Sequence, residues 1–226
     1  MVLSVGPGVL IPRPETELII DYVVEATKSN PSIAVGDWAD LGTGSGALAV
    51  GIARALPLAP TIWAADVASE PLKYTSFNAK RYNVSDRVRV IRSNWFDGFV
   101  EAGVEQLCGI VSNPPYIPNS DLQGLQAEVV NHEPHIALDG GGGLAIDSLV
   151  PICRGAATLL QPGGFLALET VGGEQAHYIA HILHHLEKSD HDDTSSGDDR
   201  CLFEQIAVRR DLRGVERFVT AIKKNH

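Results

Sequence analysis

Several things are scarce in this sequence, and each shortage removes a class of explanation. Cysteine is one: Cys108, Cys153 and Cys201 are the only 3 in 226 residues, and no two form a CxxC pair. They supply neither a disulfide framework nor a zinc knuckle, and they suit a reducing compartment. No uninterrupted run of about 18 uncharged apolar residues is present, so no segment reads as a membrane-spanning helix. The first ten residues are apolar but contain no Arg or Lys, so they do not resemble a targeting peptide. Positive charge is also short, with 18 Lys and Arg against 28 Asp and Glu and a net charge of -10. The basic residues form no run. Because nucleic-acid affinity draws heavily on Lys and Arg neutralising phosphates, direct nucleic-acid binding is disfavoured.

What is present is enough for one sizeable core. Hydrophobic residues make up 44% and charged residues 20%, an ordinary balance for a globular chain, and the length suits a single α/β domain. Residues 1–13, rich in Val, Leu, Gly and Pro, read as a short extended hairpin, so residues 1–14 are expected to form an N-terminal linker segment and 15–226 the main domain. From residue 15 to about 29, Leu18, Ile19, Tyr22, Val23 and Ala26 recur at helical spacing behind the signal PRPET. Beyond that, strand-like runs at 35–40, 61–66, 87–92, 109–112 and 164–170 alternate with helical runs at 47–56, 70–82, 144–160 and 174–186. Such alternation predicts a mostly parallel sheet with helices on both faces. Two late strand candidates, 201–208 and 215–222, flank a short polar turn and are expected to form an antiparallel pair at one edge. The acidic, small and polar stretch 189–200 reads as a surface loop.

The run Asp40-Leu-Gly-Thr-Gly-Ser-Gly46 follows an apolar strand and opens a helix. Glycines at 42, 44 and 46 permit a tight turn and let the backbone approach a ligand without a Cβ in the way. At the end of the next strand stands Asp66, where an acidic side chain accepts hydrogen bonds from ribose hydroxyls in nucleotide-binding sheets. The order strand, turn, helix, strand, Asp points to an adenosine-containing ligand held by Gly42, Thr43, Gly44, Ser45, Gly46 and Asp66.

The most informative tetrad is Asn113-Pro114-Pro115-Tyr116, at the end of the fourth strand. Ligands of open α/β sheets bind outside the carboxyl ends of strands, so this loop and the glycine turn should face one crevice. An amide or exocyclic amino group is a poor nucleophile because its lone pair is delocalised. A site that methylates such a nitrogen must accept its N–H bonds and aim the lone pair at the donor. Asn113 offers a side-chain carbonyl, and the backbone carbonyl of Pro114 offers another. Two prolines stiffen the loop before substrate arrives, and Tyr116 offers a flat face for a planar amide or base.

Taken together, these motifs resemble the HemK/PrmC family of release-factor glutamine methyltransferases. The resemblance runs nearly end to end. It includes Val9-Leu-Ile-Pro-Arg-Pro-Glu-Thr-Glu17, Asp40 to Gly46, Asn94-Trp95-Phe96, Ile110 to Tyr116, Glu133-Pro134 with Ala137-Leu138, Pro162-Gly163-Gly164 with Leu168-Glu169, and Asp211-Leu212 before Arg217-Phe218-Val219. IPRPETE together with SNPPYI is specific to that family, whereas NPPY alone is shared with amino-methyltransferases of adenine, cytosine and guanine. The resemblance implies a class I, Rossmann-like methyltransferase fold with seven strands and S-adenosyl-L-methionine as cofactor. It implies a peptide-chain release factor as partner, methylated on the glutamine of its GGQ loop. It places Asn94 and Trp95 beside the adenine, Asn113 to Tyr116 around the target amide, and Arg13 and Glu15, with Glu17, at the mouth of the pocket. Members more often carry Asp where Asn94 stands, so that contact keeps an acceptor but loses a charge. Full-length relatives also have a helical N-terminal domain that helps to grip the release factor, and this chain begins where the linker hairpin is expected. A monomer acting in the cytoplasm or in an organelle such as a plastid or mitochondrion is the matching expectation.

Other signals point to structure rather than chemistry. His177, His181, His184 and His185 share helical spacing but have no nearby Cys or carboxylate ligand, so no metal site is assigned. The run from Gly140 to Gly143 reads as a turn before a helix. Glu128 and Glu133 are not assigned as general bases, because a methylated amide loses its proton easily. Two rival functions stay open on sequence: an amino-methyltransferase of a nucleic-acid base, which would need a basic groove, and a truncated cofactor-binding relative without turnover. The expected chemistry is in-line transfer to the amide nitrogen without metal or covalent intermediate, accelerated by positioning worth roughly 7–11 kcal/mol. Asn113→Ala is therefore expected to lower kcat about 100-fold or more. Near-normal turnover in that variant would put the amide grip elsewhere.

Overall fold

The computed structural model describes residues 1–126, 129, 133–187 and 201–225. Among them, seven strands form one sheet: β1 (Trp38–Leu41), β2 (Ile62–Asp66), β3 (Val88–Arg92), β4 (Leu107–Ser112), β5 (Leu160–Glu169), β6 (Phe203–Arg210) and β7 (Glu216–Lys223). Their order is β3-β2-β1-β4-β5-β7-β6. The first five run parallel, and β7 runs antiparallel to both β5 and β6. An antiparallel pair therefore closes one edge, as the sequence pattern predicts.

The helices are α1 (Leu18–Ser29), α2 (Ala47–Ala55), α3 (Ser69–Arg81), α4 (Asp97–Glu101), α5 (Leu149–Leu159) and α6 (Glu174–His185). They cover both faces because the central strands are apolar on both sides. Along β4, Cys108 and Val111 join the core beneath α1, α2 and α3, while Leu107 and Ile110 join the core beneath α5 and α6. Neighbouring residues of one strand are thus shared between two cores, with the alternation reset by a register shift between Leu107 and Gly109.

The structure departs from the sequence reading in three places. The expected N-terminal hairpin does not form. Residues 1–13 turn once, where the Val9 amide donates to the Gly6 carbonyl (3.1 Å), and otherwise run as an extended strap over α3. Their backbone groups are satisfied by side chains of that helix and its end. Val2 exchanges hydrogen bonds with the Tyr82 hydroxyl, and Ser4 exchanges them with the Asn78 amide. Val35, expected to begin a strand, instead ends a 3-10 turn over Pro31–Val35, and β1 starts at Trp38. The helix expected from residue 144 starts at Leu149, after a turn in which Ala145 adopts a positive φ of 53°. The expected loop at 189–200 lies outside the described residues.

Packing is tight where Trp38 meets β4. Trp38 is fully buried and pairs in register with Gly109. A Cβ on Gly109 would stand 2.2 Å from the indole ring, so the glycine leaves the volume that the ring fills. Gly109→Ala is expected to destabilise the fold by about 1–3 kcal/mol through overpacking, read as a lower urea midpoint. An unchanged midpoint would show that the indole has room to retreat.

Candidate active site

The site is built where the strand order reverses, between β1 and β4. Leu41 pairs with Ser112, and the Ser112 hydroxyl donates to the Leu41 carbonyl (2.6 Å). The chain therefore leaves the sheet at Gly42 and Asn113 side by side, in the crevice that open α/β sheets present to ligands. The turn after β1 folds back on β2: the amides of Gly42 and Thr43 both donate to the Ala65 carbonyl (2.9 Å each). Gly42, Gly44 and Gly46 all have positive φ, at 72°, 56° and 83°, a backbone region that glycine enters without steric cost.

Beyond these ends lies a cleft of about 330 Å³, within the range of small-molecule sites. Gly42, Thr43, Gly44, Ser45, Asp66, Asn94, Trp95, Asn113 and Pro115 line it. The other residues singled out by sequence stand off its wall. Gly46 caps α2 against Thr75, Pro114 is buried, and Tyr116 lies behind Asn113. Arg13 pairs with Glu133 (2.8 Å) and Glu15 with Arg213 (3.5 Å). Because Pro12 and Pro134 line the cleft, the Arg13–Glu133 pair joins two segments of its rim.

The acidic residues are fastened before any ligand is considered. Asp66 accepts from the Gly44 amide (3.1 Å) and the Ala68 amide (3.0 Å), and burial raises its carboxyl above the usual range. A carboxylate has about four acceptor positions, so it keeps capacity for hydroxyls of a ligand. Trp95 sits in a left-handed turn, with φ of 49°, braced by the Ser93 hydroxyl donating to the Trp95 carbonyl (2.7 Å). Its ring lies 3.9 Å from where a Cβ on Gly42 would be.

The tetrad loop is anchored on both sides. The Ile117 amide donates to the Leu138 carbonyl and the Gly140 amide to the Ile117 carbonyl, both at 2.9 Å. Gln175, buried at the start of α6, donates to the Tyr116 carbonyl (3.0 Å) and also reaches the carbonyls of Leu144 and Ala145. The 140–143 run is thus a stitched turn beside the tetrad. At Asn113 the side-chain Nδ2 donates to Thr16 Oγ1 (3.2 Å), while no described residue donates to Oδ1 or to the Pro114 carbonyl. Thr16 donates to Glu169 Oε2 (2.7 Å), and the Tyr116 hydroxyl donates to Glu169 Oε1 (2.9 Å). Burial raises both the Glu169 carboxyl and, strongly, the Tyr116 phenol.

Sequence reasoning did not assign roles to Thr16, Asp40 or Glu169. Asp40 and Ser45 are buried on the cleft wall, yet Asp40 Oδ1 and Ser45 Oγ have no hydrogen-bond partner. Such orphaned atoms are rare in native proteins and mark a place where a polar ligand or water completes the network. The His177 ring contacts Glu216 (2.8 Å), and His181 stacks on His185. No metal-binding group occurs among the described residues.

Residues 18–150 match the family model "Methyltransferase small domain". The release factor glutamine methyltransferase of Gloeobacter violaceus is 45% identical over 76% of this chain and 57% of its own length. That of Synechocystis sp. is 41% identical over 97% of this chain and 68% of its own length. The chain belongs to this family. It spans little more than half of the first relative's length and about two thirds of the second's. A ribosomal protein L11 methylase from Lactobacillus delbrueckii subsp. bulgaricus shares the fold, with a TM-score of 0.60 at 16% identity, covering 100% of this chain and 86% of that one. The cofactor of this methyltransferase domain is S-adenosylmethionine, and the cleft fits it. The glycine turn leaves backbone open to a ligand, Asp66 keeps acceptor capacity for ribose hydroxyls, and Leu10, Pro12 and Trp95 give the lining apolar surface.

Asp40 makes a measurable mark on stability. Its Oδ2 accepts from the Thr43 hydroxyl (2.7 Å) and the Ala49 amide (3.0 Å), but complete burial outweighs both bonds and raises its carboxyl from 3.8 to about 7. A folded-state value above the unfolded one contributes stability that is complete below pH 3.8 and is lost as pH rises to about 7. The window corresponds to roughly 4 kcal/mol. Asp40→Asn, which cannot ionise, is expected to remove that decline, seen as a variant-minus-native stability difference that changes across the window in urea titrations. A constant difference would contradict it.

Proposed function

We propose that this chain transfers a methyl group from S-adenosylmethionine to the side-chain amide nitrogen of a glutamine in the GGQ loop of a peptide-chain release factor. The observation that carries this reading is the state of Asn113. It stands beside the glycine turn at the sheet's switch point and lines the cleft, its Nδ2 is tied to Thr16, and no described residue donates to its Oδ1. The names of the relatives at 41–45% identity support the acceptor.

In this reading Gly42, Thr43, Gly44, Ser45 and Gly46 form the turn that receives the cofactor, Asp66 holds its ribose, and Asn94 and Trp95 flank its adenine. Bound there, S-adenosylmethionine supplies an electrophilic methyl on a sulfonium. Asn113 Oδ1 and the Pro114 carbonyl accept the two N–H bonds of the glutamine amide. With both N–H bonds held in plane, the nitrogen lone pair is directed out of that plane. Pro114 and Pro115 keep the acceptors from retreating, so little reorganisation remains at the moment of transfer. Tyr116, locked to Glu169, backs the loop from behind the cleft wall. Arg13 and Glu15 stand at the rim, where an acceptor loop would pass.

The chain is proposed to act as a monomer, in cytoplasm or an organelle. No helix of the described residues is long and apolar enough to cross a membrane. Base methylation is disfavoured by the net charge of -10, since a nucleic-acid groove gains affinity from cations.

Incubating the chain with labelled cofactor and, in parallel, release factor, tRNA, rRNA or DNA separates the readings. Label in the release factor, with mass spectrometry locating one added methylene on the GGQ glutamine, is the expected result. Label confined to nucleic acid would replace this reading with base methylation.

A further inference from the structure

We propose that Thr16 and Glu169 are positioning residues that decide which end of the Asn113 amide faces the acceptor. The inference rests on the function proposed above and concerns groups that do not themselves touch the reacting nitrogen.

The orientation of the amide follows from the number of protons available around Glu169. Glu169 is the last residue of β5 and is 1% exposed. As a carboxylate it has acceptors only. Two hydroxyls point at it, Thr16 at 2.7 Å and Tyr116 at 2.9 Å. Each hydroxyl has a single proton, and each gives it to Glu169. Thr16 Oγ1 is thereby left with lone pairs alone toward its remaining neighbour, the Asn113 side chain at 3.2 Å. Only the NH₂ end of that amide can meet a lone pair favourably. The carbonyl end must then turn the other way.

An amide is close to symmetric in shape, so sterics alone do not choose between its two orientations. Reversed, Asn113 would present N–H donors to the N–H donors of a substrate amide, and the grip would become a repulsion. The Glu169 carboxylate prevents this from two bonds away. Chain topology makes the relay possible. Residues 165 and 167 of β5 pack into the core shared with α1, so by the period of two Glu169 emerges on the α1 side. There the 3-10 turn of Pro14–Glu17 delivers Thr16, its one buried residue, to the cleft wall. Tyr116 uses the second carboxylate oxygen, so the same group steadies both ends of the tetrad.

Three variants test the relay: Thr16→Val, which keeps shape and removes the hydroxyl, Thr16→Ser, which restores the hydroxyl, and Glu169→Gln. Steady-state kinetics with release factor give kcat and KM, calorimetry gives the cofactor Kd, and ¹⁵N–¹H spectra follow the Asn113 side-chain NH₂. Thr16→Val is expected to lower kcat about 10- to 100-fold, as loss of an orienting outer partner typically does. KM and cofactor Kd should stay within about threefold, and Thr16→Ser should recover to within about threefold of native kcat. Glu169→Gln, whose amide adds a donor, should lower kcat in the same direction. The Asn113 NH₂ signals should shift and exchange faster in Thr16→Val. Native kcat in Thr16→Val would overturn the proposal, as would equal loss in Thr16→Ser or a fall in cofactor affinity matching the fall in kcat. Should the unmutated chain leave release factor unmethylated, the acceptor assignment fails separately. The spectra then decide the relay: altered Asn113 signals in Thr16→Val uphold it, and unchanged signals overturn it.

Discussion

Everything chemical in this molecule depends on one register, the pairing of Leu41 with Ser112 across parallel β1 and β4. It brings a glycine turn and an Asn-Pro-Pro-Tyr corner out of the sheet as neighbours. The sheet order turns outward in both directions from this pair, so no crossover helix covers the gap and a cleft is left open. A shift of one residue would exchange the faces on which side chains emerge and would part the two loops.

Around that register the protein uses buried polar side chains as ties between segments far apart in sequence. Asn78, fully buried on α3, donates to the carbonyls of Ser4 and Ser45 (2.9 and 2.8 Å), coupling the N-terminal strap to the glycine turn. Gln175 does the same for the tetrad and the 140–145 turn. Asp211 closes the turn between β6 and β7 by accepting from the amides of Arg213 and Val215 and from Arg217 Nε. The Asn78 and Gln175 ties satisfy backbone carbonyls on or beside the buried site, where an unpaired group costs about 1–3 kcal/mol. The same logic makes Asp40 an exception. Its Oδ2 ties Thr43 and Ala49, but its Oδ1 is unmatched and complete burial raises its carboxyl.

Much of the fold was legible because its strands are short apolar runs separated by amphipathic helices, and that alternation admits few topologies. The errors share one physical origin. The strap at residues 1–13 has the composition of a hairpin, but whether its backbone pairs with itself or with Tyr82 and Asn78 depends on a helix seventy residues away. The 3-10 turn at Pro31 and the late start of α5 are likewise set by what the segments pack against. At the site, Gly42, Asp66 and Asn113 could be named because their residue types announce their chemistry. Thr16 and Glu169 could not. Each is an ordinary polar residue whose significance is a contact, Thr16 with Glu169 across 153 positions and Asn113 with Thr16 across 97.

By itself the sequence determined the fold class, the glycine bend, the Asn-Pro-Pro-Tyr corner and the net negative charge, because periodicity, backbone freedom and side-chain chemistry are local properties. The tertiary structure alone decided which groups stand within bonding distance, which carboxyl is raised by burial, and how the Asn113 amide is turned. Those depend on desolvation and on hydrogen-bond partners that only the folded chain brings together.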